Sequence, residues 1–329
     1  MRNENKVICL TPEYSTTRRL VDVMQPDEEV GLAGHANILP RVDGGLRRLG
    51  YRKTENSESG PLVTVVTAVF NGEKTLEQTI LSVISQSYDN LEFIVIDGGS
   101  RDGTLDIIKK YEHAIDYWVS EPDGGIYDAW NKGVRLSSGT WIAFLGSDDI
   151  YLDGAVQAYI DFIQSQKDAE IDYVSSKINL TDGSRVLRTV GMPWSWNIFR
   201  KYMKIAHVGS LHHKKLFAKF GLFDDAYRIT GDYEFLLRPG PHLRAYFYDR
   251  VTVNMHVGGV SNANSLVFEE SAKAKISTGG RGRVASNIEK ILGDLEMESA
   301  SQIVRLDCLR LAAIIRIKSK TSACKINFM

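Results

Sequence analysis

Between Leu62 and Gln164 the chain alternates short β-branched apolar runs with stretches of helical spacing, and this alternation limits the fold more than any other feature. Leu62 to Phe70 (LVTVVTAVF), Leu91 to Ile96, Ile115 to Val119 and Thr140 to Leu145 (TWIAFL) read as strands buried on both faces. Between them, Glu73 to Ser85 places Leu76, Ile80, Val83 and Ile84 on one stripe; Asp102 to Tyr111, Ile126 to Leu136 and Asp153 to Gln164 read as further helices. This succession predicts an α/β fold with a mostly parallel central sheet flanked by helices.

The flanks are less regular. Residues 1–60 form an N-terminal accessory segment whose end, Thr54 to Pro61, is polar and closes on Gly-Pro as a linker does. After the regular half, Ile171 to Ile178 predicts a strand, Thr181 to Ser184 a turn and Arg185 to Val190 its hairpin partner. Lys214 to Phe220 and Asp232 to Leu237 predict short helices, and Arg244 to Val257 alternates as a strand. From Asn262 onward the chain reads as helical, so residues 61–261 are expected to form the main domain and 262–329 a helical C-terminal extension. The last helix, near Ser299 to Lys318, mixes apolar residues with Arg and Lys, and Arg310 to Lys325 contains no acid. Such a helix suits either peripheral contact with anionic lipid or packing and oligomerisation.

Ligands of an open parallel sheet bind outside the carboxyl ends of its strands. Here those ends read Asn71-Gly72, Asp97-Gly98-Gly99-Ser100-Arg101-Asp102-Gly103, Glu121-Pro122-Asp123-Gly124-Gly125 and Gly146-Ser147-Asp148-Asp149. Carboxylates recur at three of the four, with glycines that let backbone approach a ligand. Asp148 and Asp149 are adjacent like charges, best offset by a hard divalent cation such as Mg2+ or Mn2+, although Asp149 or Asp153 could instead cap the next helix. Asp97 suits a contact to a nucleotide base or ribose, and equally an Asx-turn. Asp102 is placed to cap the helix after it, and Gly133 to end the helix before it.

Taken in order, Thr67–Gly72, Val95–Thr104, Ser120–Gly133 (SEPDGGIYDAWNKG) and Phe144–Asp149 (FLGSDD) resemble the family 2 glycosyltransferases with the GT-A fold, above all bacterial members that build surface polysaccharides. The likeness covers roughly Pro61 to Ser261. It implies an inverting, metal-dependent transfer of a sugar from a nucleotide diphosphate donor, most simply a UDP-sugar, to a saccharide or lipid-linked saccharide acceptor. On that likeness Phe70, Asn71, Asp97, Gly99, Asp123, Asn131, Ser147 and Asp148 would hold the donor nucleotide, and Asp148 with Asp149 the metal. The family often carries Asp where this chain has Gly146, so ligation would rest on Asp148 with Asp149 or a later histidine. The segment Ile229 to Leu237 (ITGDYEFLL) would supply the base, Asp232, with Glu234 as its rival. His207 and Glu234 would line the acceptor or sugar site.

Composition excludes several other classes. A formal net charge of -1 gives no global basic field for nucleic acid. Cys9, Cys308 and Cys324 are too few and too scattered for a disulfide scaffold, and with no leader-like or spanning apolar run the chain is expected to be cytoplasmic. A nucleotidyltransferase usually needs a glycine-rich basic loop after the first strand, where this chain has Asn71-Gly72-Glu73-Lys74. A non-catalytic nucleotide-sugar-binding protein would have no use for both Asp148 and Asp232.

Overall fold

A computed structural model of the chain describes residues 7–22, 41–55, 60–167, 169–258, 266–282 and 286–287. The elements run β1 (Val7–Ile8), β2 (Leu20–Asp22), β3 (Val42–Gly44), β4 (Tyr51–Arg52), β5 (Val63–Val69), α1 (Leu76–Ile84), β6 (Leu91–Asp97), α2 (Thr104–Lys110), β7 (Tyr117–Ser120), α3 (Ile126–Leu136), β8 (Trp141–Gly146), β9 (Ile150–Tyr151) and α4 (Ala155–Ser165). They continue with β10 (Tyr173–Thr181), β11 (Val186–Val190), α5 (Trp196–Phe199), β12 (Ser210–His213), α6 (Lys215–Phe220), α7 (Gly231–Leu237), β13 (Ala245–His256) and α8 (Leu266–Ser277). The main sheet has the order β3-β7-β6-β5-β8-β12-β10-β13-β9, with β11 hung on β10. Strands β7, β6, β5 and β8 are mutually parallel. Beyond β8 the sheet becomes mixed, because β12 enters antiparallel between β8 and β10.

The side-chain alternation of each central strand divides the core in two. On β6, Leu91, Phe93 and Val95 face α1 and α4 with Val63, Val65, Trp141, Ala143 and Leu145. Ile94 and Ile96 face the opposite layer with Val66, Ile142 and Phe144, under α3, α6 and α7. The predicted stripe of α1, Leu76, Ile80, Val83 and Ile84, is fully buried. Helices therefore cover both faces, and the free space for chemistry is left at the strand ends.

Two expectations change. Gly133 does not end a helix; it lies inside α3, where an added Cβ would sit 2.3 Å from Cγ1 of Val66. Glycine is there so that α3 can lie directly on β5. Gly133→Ala is expected to destabilise the fold by about 1–3 kcal/mol through overpacking, despite the better helix propensity of alanine. Denaturant unfolding that shows the variant to be no less stable than wild type would refute this packing account. Also, part of the accessory segment belongs to the sheet: β3 pairs antiparallel with β7 and forms the sheet's edge. The C-terminal region expected near Ser299 to Lys318 lies outside the described residues.

Candidate active site

The rim is built by hydrogen bonds between consecutive strand tips. Asn71 adopts a left-handed backbone (φ 53°), so the chain leaving β5 turns toward the β6 tip. Its N–H donates to Ser100 Oγ at 2.7 Å, and its side-chain oxygen accepts the N–H of Arg101 at 2.9 Å. Gly72 and Glu73 donate backbone N–H groups to Thr104 Oγ1 and Asp102, while Gly103 returns one to Glu73. Asp102 also accepts the N–H of Thr104, but the N-cap of α2 is Gly103, one residue after the expected one. Ser147, at the β8 tip, lies against Gly72. Phe70 projects from the same rim, 64% exposed.

Asp97 is fully buried at the end of β6, accepting from the backbone and hydroxyl of Ser100 and from the Ser120 hydroxyl of β7. It braces the two tips from beneath the surface. Asp123 hangs over Gly98, so closely that a Cβ there would lie 2.7 Å from its Oδ2. Its Oδ1 accepts the N–H of Gly125, and burial raises its pKa. Gly99, at φ 81°, packs against Pro122 between them.

At β8 the two adjacent carboxylates separate. Asp148 is 36% exposed, and its Oδ2 lies 4.0 Å from Nδ1 of His256 at the end of β13. Asp149 is buried; its Oδ1 accepts the His256 N–H at 3.0 Å, and its Oδ2 fills the space a Cβ on Gly146 would need. Burial, then the Asp148 charge, push Asp149 up to about 7. Neither Asp149 nor Asp153 caps α4, whose cap is Gly154. Asp148 and His256 are the side chains at this tip whose oxygen and nitrogen donors could hold a divalent ion. Among the described residues no group of three such side chains converges. Asp149, also expected at the metal, is buried and ties the end of β13 through the His256 N–H.

Asp232 stands in the first turn of α7. Asp232 is 13% exposed, with Oδ2 4.0 Å from Nδ1 of His207. Its Oδ1 accepts the Tyr233 N–H at 2.8 Å and lies 3.1 Å from the Tyr127 hydroxyl, which also donates to the Ile229 carbonyl at 2.7 Å. Burial pushes Asp232 up to about 6. The approach to α7 is held by Glu270 of α8, whose carboxylate accepts the backbone N–H groups of Arg228, Ile229 and Thr230. Arg228 in turn donates to the Gly124 carbonyl, joining this loop to the β7 tip. Glu270 lies outside the motifs, and Tyr127 lies within Ser120–Gly133 without being singled out by it; their long-range contacts identify both.

Three expected site residues, Glu234 and His207 of the acceptor or sugar lining and Asn131 of the nucleotide set, are engaged elsewhere. Glu234 is buried and ion-paired with Arg238, one turn along α7, and accepts the Thr278 hydroxyl. Two residues along a helix is a rotation of about 200°, so Glu234 faces away from Asp232. Asn131 is buried and bonded through both amide atoms to the Phe223 backbone at 2.9 Å, strapping α3 to the following layer. His207 is 6% exposed and stacked against Trp130 and Phe144; it backs Asp232 rather than lining open space. Burial holds its imidazole neutral, well below the usual histidine range, and neither ring nitrogen has a hydrogen-bond partner among the described residues.

Comparison with known proteins agrees with this layout. Residues 64–224 match the model of Glycosyl transferase family 2. An uncharacterized glycosyltransferase of Mycobacterium tuberculosis is 34% identical over 194 residues, covering 55% of this chain and 69% of that protein. A PGL/p-HBAD biosynthesis glycosyltransferase of Mycobacterium bovis is 28% identical over 226 residues, covering 65% and 84%. Among solved structures, S. aureus TarS 1-349 in complex with UDP superposes with a TM-score of 0.53 at 16% identity, over 70% of this chain and 69% of that one. The strand tips of β5 to β8 fall within the matched residues 64–224, while α7 and His256 lie beyond them.

Proposed function

The chain belongs to glycosyl transferase family 2, and from that premise we propose that it transfers a sugar, with inversion, from a nucleotide diphosphate donor to a hydroxyl of a saccharide or lipid-linked saccharide in surface polysaccharide synthesis. The observation that carries this reading is a pair of carboxylates in different settings: Asp148, 36% exposed beside His256 at the β8 tip, and Asp232, nearly buried at the start of α7. Residues 61–261 carry the chemistry on this reading, with Arg47 and β3 of the N-terminal segment and Glu270 of α8 built into the same fold.

The nucleotide lies across the tips of β5, β6 and β7, with Phe70 as an exposed aromatic face for the base. Asp123 is the carboxylate best placed to accept an N–H from the base, and Asp97 supports the tips from below. A uridine-linked donor is the first to test, since a TarS structure of the same fold was solved with UDP. Asp148 and His256 hold Mg2+ or Mn2+, which would neutralise charge on the departing diphosphate. Asp232 takes the proton of the acceptor hydroxyl as its oxygen attacks the anomeric carbon and the bond to the diphosphate breaks. The Tyr233 N–H and the Tyr127 hydroxyl fix the orientation of that carboxylate, and His207 packs behind it.

Asp148→Ala is expected to weaken divalent-cation-dependent UDP binding by about 10- to 100-fold, the usual effect of losing a metal-site partner. Binding in the presence of chelator should stay unchanged. Titration calorimetry with UDP, with and without Mn2+, makes the comparison. Equal cation dependence in wild type and variant would overturn the metal assignment.

A further inference from the structure

From Gly183 to Phe223 the chain contains no Asp or Glu, although the whole protein carries 41 acids in 329 residues. The first part of this stretch holds Arg185, Arg188, Arg200, Lys201 and Lys204 together with Trp194, Trp196 and Tyr202. Its apolar residues are unusually open: Val186 is 55% exposed, Leu187 47%, Ile198 39% and Tyr202 48%. Val186 and Leu187 stand on β11, the outer strand of a hairpin on β10. Ile198 and Tyr202 are one helical turn apart, with the Tyr202 N–H donating to the Ile198 carbonyl. Met192, Pro193, Ile198 and Lys204 line one shallow groove, so the two ends of the α5 segment meet at the surface. The Lys204 ammonium lies 5.8 Å from the Tyr202 ring centre. Among the described residues none of Arg185, Arg188, Lys201 or Lys204 forms an ion pair.

We propose that this face, residues 185–204, docks on an anionic lipid surface. Unneutralised cations around exposed Ile, Leu, Val and Tyr are what a peripheral protein presents to negatively charged headgroups, with the apolar groups entering the headgroup boundary. A surface made only to bind an acidic saccharide or protein would have no need for four open aliphatic or aromatic side chains beside the charges. The placement also serves transfer to a membrane-borne acceptor. The Phe199 carbonyl accepts the Tyr233 hydroxyl at 2.9 Å, and His207 follows three residues after Lys204, so the face adjoins the α7 end of the rim. This contact is separate from any made by the C-terminal helices.

The test is sedimentation of the full chain with vesicles of phosphatidylcholine alone, and of phosphatidylcholine mixed with phosphatidylglycerol, at low and high salt. Wild type is expected to bind only the anionic vesicles and to be released by salt. Lys201→Glu with Lys204→Glu should reduce that binding about tenfold or more, at roughly 1 kcal/mol per charge near the surface. Ile198→Asn with Tyr202→Asn should also weaken it. Both pairs are exposed and outside the rim, so unfolding temperature and UDP binding should be unchanged. If both variants bind anionic vesicles like wild type, or wild type binds neither vesicle, the proposal is overturned. If the charge variant loses binding but the apolar variant does not, the face is a general polyanion site and the lipid assignment fails. No transfer activity is read, so the result is independent of the catalytic reading.

Discussion

Replacing Asp232 with asparagine is expected to abolish sugar transfer while making the protein more stable. General-base catalysis contributes about 10²–10⁴ in rate, so kcat should fall by that factor, with donor binding within a few-fold of wild type. Asparagine can still accept the Tyr233 N–H and the Tyr127 hydroxyl, so the geometry of α7 should persist. The carboxylate is nearly buried and its pKa is pushed up to about 6. An unfolded aspartate titrates near 3.9, so between those two pH values the native state binds more protons than the unfolded state. Stability contributed by this group is therefore present below about pH 4 and lost as pH rises through about 6. At neutral pH the wild-type carboxylate costs up to about 3 kcal/mol relative to a neutral isostere, and Asp232→Asn should recover part of it. The same titration predicts that wild-type kcat/KM falls off on the acid side with a midpoint near pH 6. Transfer by Asp232→Asn within tenfold of wild type would remove Asp232 from the base role. A variant less stable than wild type at pH 7.5 would remove this account of the buried charge.

How much of this was legible beforehand depended on how far apart the interacting residues lie. The central strands and α1 could be read locally, because burial on both sheet faces and a helical stripe both leave periodic signatures within ten residues. Gly133 looked like a helix end because the local rule for glycine applies to its neighbours; its actual partner, Val66, lies 67 positions earlier. Asn131 was misplaced for the same reason, being bonded to Phe223. Glu234 was a different case. The helical rotation separating it from Asp232, and the four-residue spacing to Arg238, were both in the sequence and favoured an ion pair. Of the two adjacent aspartates, only contact with β13 decides which stays open: Asp149 is tied to the His256 backbone, leaving Asp148 beside the His256 ring. In the N-terminal segment, a three-residue strand carries no periodicity, and a buried arginine has the same letter as a surface one.

That arginine gives the largest expected effect on stability. Arg47 is 6% exposed, and its guanidinium meets Glu92 of β6 in an ion pair, donates to the Leu136 carbonyl at 2.9 Å and reaches Ser138 Oγ at 3.1 Å. Glu92 is 1% exposed and also accepts the Thr64 hydroxyl at 2.6 Å and the Ser138 N–H at 2.8 Å. Burial pushes Glu92 up, yet Arg47 and these hydrogen bonds together hold it below its usual range. Beside them Asp116 is raised to about 7 by burial, so this end of the sheet has little capacity for another uncompensated charge. Arg47→Met keeps the aliphatic stem but leaves Glu92 buried without its cation, a loss of about 3–5 kcal/mol. A typical domain has only about 5–15 kcal/mol in total, so the midpoint of urea unfolding should fall steeply. Adding Glu92→Gln should recover part of the loss, because the neutral amide no longer needs the guanidinium. Additive destabilisation by the two changes would mean that the pair is not coupled. Removal of residues 1–55 should be at least as damaging, since it strips Arg47 and also exposes the β7 edge that β3 covers. A truncated chain that stayed monomeric and unfolded at the wild-type urea concentration would show that the segment is an appendage, not part of the folded catalytic unit.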